Sequence, residues 1–417
     1  MRTALTLLAA LLAGGAAAVE APPELPPAAI VARILQASPA VRAADSQVAV
    51  EAANRSRLEA GPYEWNVRLG AQRRRVNSGG GPDERLQETS AGLERTFRLP
   101  GKAALDAELG AKGVELAETA RGDVLHEAAR GLLKHWFAWL RESATAGQWA
   151  EQAALLEQYS QGVKRRRQLG DAARLEALQA EAAAAQAEAQ LAQARSRQRT
   201  AAEELHRRYP GLPLPVSPLL PDPPLLAGDE THWVAAIRDH SHELALARGE
   251  AQRATMAAGR SGRDLLPDPT LGLHVARERS GEENVVGLSL SIPLPGEARR
   301  AQSAAALAQA DAASSREAAA RQKVEGEAAT LYQAASAARG SWEASRRAGR
   351  QLQEAAALTA RAYQLGEGSL NELLTARRLA NEAGLAARLA QLEALELRCR
   401  LLLDAHRLWP LDDHGDH

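Results

Sequence analysis

Aromatic residues make up only 3% of this 417-residue chain, and there is a single cysteine, Cys399. One thiol excludes an intrachain disulfide framework, and no cysteine follows the N-terminal leader to carry a lipid. Long apolar runs are missing too. Beyond the leader, no stretch reaches the roughly 18 to 20 apolar residues that a membrane-spanning helix needs. Neither charge sign dominates: 51 Lys plus Arg stand against 52 Asp plus Glu. That balance excludes the strongly basic footprint of a nucleic-acid binder. Catalytic groupings are absent as well. His240 and His242 lie two positions apart, so they point in different directions on a helix, and no carboxylate–serine set accompanies them. Neither an enzyme nor a cofactor is expected.

The chain opens with Arg2, a short apolar run from Ala4 to Leu12 and the small residues Ala16-Ala17-Ala18, which reads as a secretory signal over 1–18. Beyond it, alanine, glutamate, glutamine, arginine and leucine fill long stretches, the composition of long helices or coiled coils. An exported, mostly helical protein with little ordinary aromatic core is expected.

The chain is duplicated. Gly92-Leu93-Glu94-Arg95-Thr96-Phe97-Arg98-Leu99-Pro100-Gly101 returns as Gly287-Leu288-Ser289-Leu290-Ser291-Ile292-Pro293-Leu294-Pro295-Gly296. Tyr159 with Leu169-Gly170-Asp171 returns as Tyr363 with Leu365-Gly366-Glu367. Glu176, Leu178 and Ala180 return as Glu372, Leu374 and Ala376, and Ser38 and Ser241 hold comparable places ahead of the strands. The expected division is a first repeat over 19–208, a proline-rich strap over 209–230, a second repeat over 231–409 and an acidic histidine-containing tail over 410–417.

Each repeat shows the same order. A helix (29–60, or 231–262) leads to two strand-like segments, at 65–75 and 87–99, or 270–278 and 284–294. Trp65, Val67, Leu69 and Ala71 alternate with Asn66, Arg68, Gly70 and Gln72, and Arg95 interrupts the apolar face of the second segment. Period two with one apolar face is the signature of a membrane β-barrel strand. A long helical hairpin follows, over 102–208 or 297–407. Its first arm would reach roughly 100 Å if unbroken. Leu385, Leu389, Leu392, Cys399 and Leu403 form the seam of the last arm with Glu396 as a gap, while alanines from Ala182 to Ala194 fill the first-repeat counterpart. Small side chains bury too little area to hold one hairpin alone, so neighbouring helices are expected.

Four strands with one apolar face leave two open edges, which hydrocarbon does not tolerate. A single-chain barrel needs about eight strands to close, so copies are required. Eight strands would have a filled interior. Gly70, Gln72, Gly92, Thr96, Gly287, Ser289 and Ser291 are small and polar enough to line water, which favours three chains.

Two strand pairs, each followed by a long hairpin with Leu-Gly at its tip and Glu-x-Leu-x-Ala just beyond, resemble the TolC-type outer-membrane efflux protein family over nearly the whole mature chain. The resemblance implies a mainly α fold with a transmembrane β portion. It also implies a homotrimer whose twelve-stranded barrel sits in outer-membrane lipid and continues into a periplasmic α-helical barrel. Leu99-Pro100-Gly101-Lys102 is similar to the CzcC-like heavy-metal branch, which implies an exit duct working with a periplasmic adaptor and a resistance-nodulation-division pump. Carried over residue by residue, the family's aperture aspartate falls on Glu372 and its first-repeat counterpart on Glu176. A second aperture aspartate falls on Thr375 and a tip arginine on Gly368, both departures. The adaptor-contacting tips would be Leu169, Gly170 and Asp171, and Leu365, Gly366 and Glu367, with Lys164 to Arg167 beside the first. His414 and His417, among tail aspartates, are weak candidates for a divalent ion. Alternatives are a duct for drug efflux or type I protein secretion, or a non-conducting periplasmic coiled-coil adaptor.

Overall fold

The computed structural model describes residues 22–77, 79–80 and 83–409. The leader over 1–18, Ser78 with Gly81 and Pro82, and the tail with His414 and His417 lie outside the described residues. The element order is α1 (Ala28–Gln36), α2 (Pro39–Ala60), β1 (Asn66–Val76), β2 (Glu84–Thr96), α3 (Lys102–Gln168), α4 (Arg174–Arg208), α5 (Glu230–His240), α6 (His242–Arg263), β3 (Thr270–Glu278), β4 (Glu283–Ser291), α7 (Glu297–Leu365) and α8 (Leu370–Asp404). The order α-α-β-β-α-α therefore occurs twice.

Several ends differ from the sequence expectation for a local reason. The helices expected at 29–60 and 231–262 are each broken in two by a serine. Ser38 caps α2 by accepting the Val41 N–H at 3.3 Å, and Ser241 caps α6 by accepting that of Leu244 at 3.2 Å. A serine that satisfies an orphan N–H with its side chain starts a new helix, and Pro39 at the first helical position of α2 reinforces the break. His240 and His242 consequently belong to different helices. β2 ends at Thr96 and β4 at Ser291, short of the expected 99 and 294, because Pro100, Pro293 and Pro295 cannot donate to a ladder.

The chain forms two compact units, and the division falls inside both long helices. Among the described residues, one holds 35–129 and 228–333, the other 22–34, 130–227 and 334–409. In the first, the four strands form one antiparallel sheet in the order β1-β2-β3-β4. The β2–β3 pairing runs from Thr89↔Arg277 to Thr96↔Thr270 and joins the two repeats. α2 and α3 approach closely at Gly110, where an added Cβ would lie 2.9 Å from the Cα of Arg55. Ion pairs tie the helices along their length, Arg121 to Asp45 at 2.5 Å and Lys323 to Glu243 at 2.8 Å.

In the second unit the scarce aromatics are concentrated rather than spread. Trp136, Phe137, Trp139, Trp342 and Trp409 are buried, and Trp136 packs on Trp139 with ring centroids 5.1 Å apart. On α8, Leu392, Cys399 and Leu403 are buried as the seam requires, while Leu385 and Leu389 are half-buried. Glu396, the gap in that seam, pairs with Arg141 of α3. Burial pushes its carboxyl above the usual range and the Arg141 charge opposes that shift. The strap is pinned rather than loose. Gln391 donates to the carbonyls of Leu220 and Pro221 at 3.2 and 2.9 Å, and Arg346 pairs with Asp222 at 2.5 Å.

Candidate channel wall, junction and hairpin tips

The register assigns every strand residue to a face, since cross-strand partners share one. Val67↔Leu93↔Leu273↔Leu288 form one row and Leu69↔Ala91↔Val275↔Val286 the next. These side chains are exposed in the single chain, Leu69 to 77% and Leu288 to 86%. An apolar face left open to this extent is built for lipid. Arg95, which breaks the face in the sequence, lies 5.3 Å from the Trp65 ring and 5.9 Å from that of Phe97. Stacking its cation on the aromatic faces lets an arginine sit at the edge of the apolar band.

The opposite face carries Gly70, Gln72, Ser90, Gly92, Thr96, His274, Gly287, Ser289 and Ser291. It also carries all the strand carboxylates: Glu84, Glu88, Glu94, Glu278 and Glu283. Only Arg68 and Arg74 offset them there, pairing with Glu94 at 2.9 Å and Glu88 at 2.5 Å. The polar face is thus net acidic, a segregation that alternation alone had not revealed.

Where strands meet helices, charged groups cluster around the buried Lys102, Asp106 and Asp268. Lys102, at the first position of α3, reaches Asp268 at 2.9 Å, Asp264 at 3.1 Å and the Leu266 carbonyl at 2.7 Å. Arg260 and Arg98 both contact Asp106, at 2.6 and 2.9 Å. The Tyr63 hydroxyl donates to Asp268 at 2.8 Å, and the Leu99 N–H adds a bond at 2.9 Å. Burial alone would raise the Asp268 pKa, but bonds from Lys102, the Leu99 N–H and Tyr63 together hold it below the usual carboxylate range. Asp264 is also held low, with burial outweighed by Arg260 and Lys102. Leu99 to Lys102 therefore build this junction, a role that the motif did not disclose.

At the tips, α3 and α7 end in glycines with φ of +84° at Gly170 and +79° at Gly366. The N–H groups of Asp171 and Glu367 return to the carbonyls of Arg166 at 2.8 Å and Ala362 at 2.9 Å. This is the Schellman closure that a left-handed glycine permits. It leaves Leu169 85% and Leu365 66% exposed. The helices that follow start differently. Ser369 and Glu372 form a capping box, the Glu372 carboxylate accepting the Ser369 N–H at 2.8 Å, whereas Ala173 gives α4 no side-chain cap. The Ser369 backbone and then side-chain bonds hold the Glu372 carboxyl below its ordinary value. Glu176 occupies the same place in α4 without such a tie. Thr375 lines a cleft of 430 Å³ with Trp149, Gln152, Leu156, Arg378 and Glu382.

Behind the tips, Val163, Ala177, Ala180, Ala360, Leu370 and Leu373 pack into one core. Two crossed arginine–tyrosine pairs flank it. Arg166 donates to the Tyr363 hydroxyl at 3.0 Å and Arg377 to that of Tyr159 at 3.1 Å. The sequence showed these tyrosines only as repeat markers. Arg166, read as part of a solvated or docking run, instead binds Asp171 and Tyr363. No metal-holding group of His, Cys, Asp or Glu occurs among the described residues.

The family model described as "Outer membrane efflux protein" matches residues 233–402, the span of the second repeat. The second repeat of the chain is thus similar in sequence to outer membrane efflux proteins. The fold extends the likeness across the rest of the chain. The CmeC outer membrane channel of Campylobacter jejuni superposes with a TM-score of 0.72 at 13% identity, covering 93% of this chain and 86% of that one. VceC of Vibrio cholerae gives 0.73 at 16% identity, covering 91% and 96%. The MtrE channel of Neisseria gonorrhoeae gives 0.70 at 18%, covering 92% and 90%. No curated protein matches the chain in sequence. The chain accordingly shares the fold of these outer-membrane channels over nearly its whole described length.

Proposed function

We propose that three copies of this chain close a twelve-stranded barrel and serve as the passive exit duct of a tripartite assembly. A periplasmic adaptor and an inner-membrane pump of the resistance-nodulation-division type would complete it. The observation that carries the reading is the sheet itself: β1 and β4 are its edges, and its apolar face is open. An edge within hydrocarbon leaves N–H and C=O groups unsatisfied at several kcal/mol each. Pairing β1 of one copy with β4 of the next removes both edges, and twelve strands leave room for a water-filled lumen. Mass measurement of the detergent-solubilised complex tests the copy number. Ion conductance in planar bilayers tests the duct, and a non-conducting monomer would overturn the reading.

For cargo we infer heavy-metal cations. Support comes from Leu99 to Lys102, similar to the heavy-metal branch, and from the acidic polar face, because rings of carboxylates favour cations. Glu176, Glu372 and Thr375 are the proposed periplasmic aperture, and residues 169–171 and 365–367 the adaptor contacts. Susceptibility of a deletion strain across metals and drugs decides the cargo. Sensitivity to drugs alone would replace the metal reading with drug efflux.

A further inference from the structure

The lipid-facing side of the sheet changes character beyond its apolar rows. Moving toward the strand hairpins, the next row is Ala71, Thr89, Arg277 and Asn284, then Arg73 and Gln87, then Arg75 and Arg85. Every charged strand residue on this face is an arginine, while every strand carboxylate lies on the other. Strands alternate freely between faces, so confining every strand carboxylate to one face marks two environments that differ in charge preference.

The partners differ in the same way. On the polar face Arg68 and Arg74 each have a glutamate. On the lipid face Arg75 pairs with Asp83 beyond the strand end. Arg73, Arg85 and Arg277 are exposed and form no ion pair among the described residues. Arg75 and Arg85 stand directly opposite each other, and Asp83 offsets only one of these two like charges. The rows succeed one another about every 7 Å along the strands and begin directly beyond the apolar band. A planar guanidinium binds phosphate oxygens in pairs, and amide side chains such as Gln87 and Asn284 add neutral donors.

We propose that Arg73, Arg85 and Arg277 form a belt that binds the phosphate-bearing headgroup of an outer-leaflet glycolipid. The proposal rests on the channel reading, which sets this face toward lipid and the strand hairpins toward the cell exterior.

The test uses the full-length protein, delipidated in detergent, with bisphosphorylated lipid A as probe and native mass spectrometry as readout. Saturable binding is expected, weakened at least about tenfold in R73Q/R85Q/R277Q, as loss of charge-assisted bonds requires. The lumen-facing pair R68Q/R74Q should bind as the unchanged protein does, and dephosphorylated lipid A should bind poorly. Equal binding by the triple variant, or by dephosphorylated lipid, overturns the proposal. So does displacement of the lipid by millimolar inorganic phosphate, which would mark a site for a free anion. Heat-modifiable migration shows that the triple variant has folded. Conductance of the unchanged protein is recorded alongside. If that conductance is absent the channel reading itself fails, whereas normal conductance without selective lipid binding defeats this proposal alone.

Discussion

Lys102 and Asp268 meet at 2.9 Å with side-chain exposures of only 2% and 4%. One opens α3 of the first repeat and the other precedes β3 of the second, so their ion pair clamps the two repeats where strands become helices. Asp264, Asp106, Arg260 and Arg98 complete a partly buried set in which cations and carboxylates balance.

Breaking this pair from one side should be costly. Lys102→Met leaves Asp268 charged and withdrawn from water, at about 3–5 kcal/mol. A lower midpoint in thermal unfolding and less protein in the outer-membrane fraction are expected. Lys102→Met with Asp268→Leu should regain part of the loss, and a double variant no better than the single one would show that the pairing contributes little.

The junction also sets an acid limit. Asp264 and Asp268 have depressed pKa values when folded, against about 3.9 in an unfolded chain. Their stabilisation is therefore complete above about pH 4 and is lost as pH falls through the lower folded values. Unfolding midpoints of the unchanged protein and Asp268→Asn should differ at neutral pH and converge in acid. A gap independent of pH would contradict the linkage.

Charge and capping can be separated at the second tip. Glu372→Gln keeps a side chain able to accept the Ser369 N–H but removes the carboxylate, whereas Glu372→Ala removes both. If the aperture selects by charge, Glu372→Gln combined with Glu176→Gln lowers cation preference in planar bilayers. Loss of preference only in the alanine form would assign Glu372 to the cap.

Exposed leucines at the tips supply the adaptor test. Leu169→Asp with Leu365→Asp alters side chains that are 85% and 66% exposed, so stability should change by less than about 0.5 kcal/mol. Bilayer conductance should persist while cross-linking to the adaptor and cellular efflux fall. Full efflux in this variant would move the contact elsewhere.

The crossed pairs Arg166–Tyr363 and Arg377–Tyr159 join α3 to α7 and α8 beside the tips. Burial raises the Tyr363 pKa with Arg166 opposing, so the phenol remains neutral and accepts the guanidinium bond at physiological pH. Tyr159→Phe with Tyr363→Phe removes both acceptors and should raise the open probability of single channels. Unaltered gating would confine these pairs to packing.

Much of this was legible because it is local and periodic. Alternation at Val67, Leu69 and Leu93 gives a one-faced strand, and Leu-Gly at 169–170 and 365–366 gives a helix end, whatever lies far away. The repeated order gave four strands per chain, and their open edges raised the expectation of several copies. The breaks at Ser38 and Ser241 were written there too, as cap residues, but helical composition on both sides masked them.

Tertiary structure decided what depends on residues distant in the chain. Only the pairing register places Arg277 level with Thr89 and brings every strand carboxylate to one face of the sheet. Only folding brings Lys102 to Asp264 and Asp268, or Arg166 to Tyr363. The sequence determines period, cap and repeat because neighbouring residues fix them through backbone geometry. An ion pair between separate elements is fixed by where whole helices and strands come to rest. No local pattern therefore announces that the lysine of Leu-Pro-Gly-Lys is the buried clamp between the repeats.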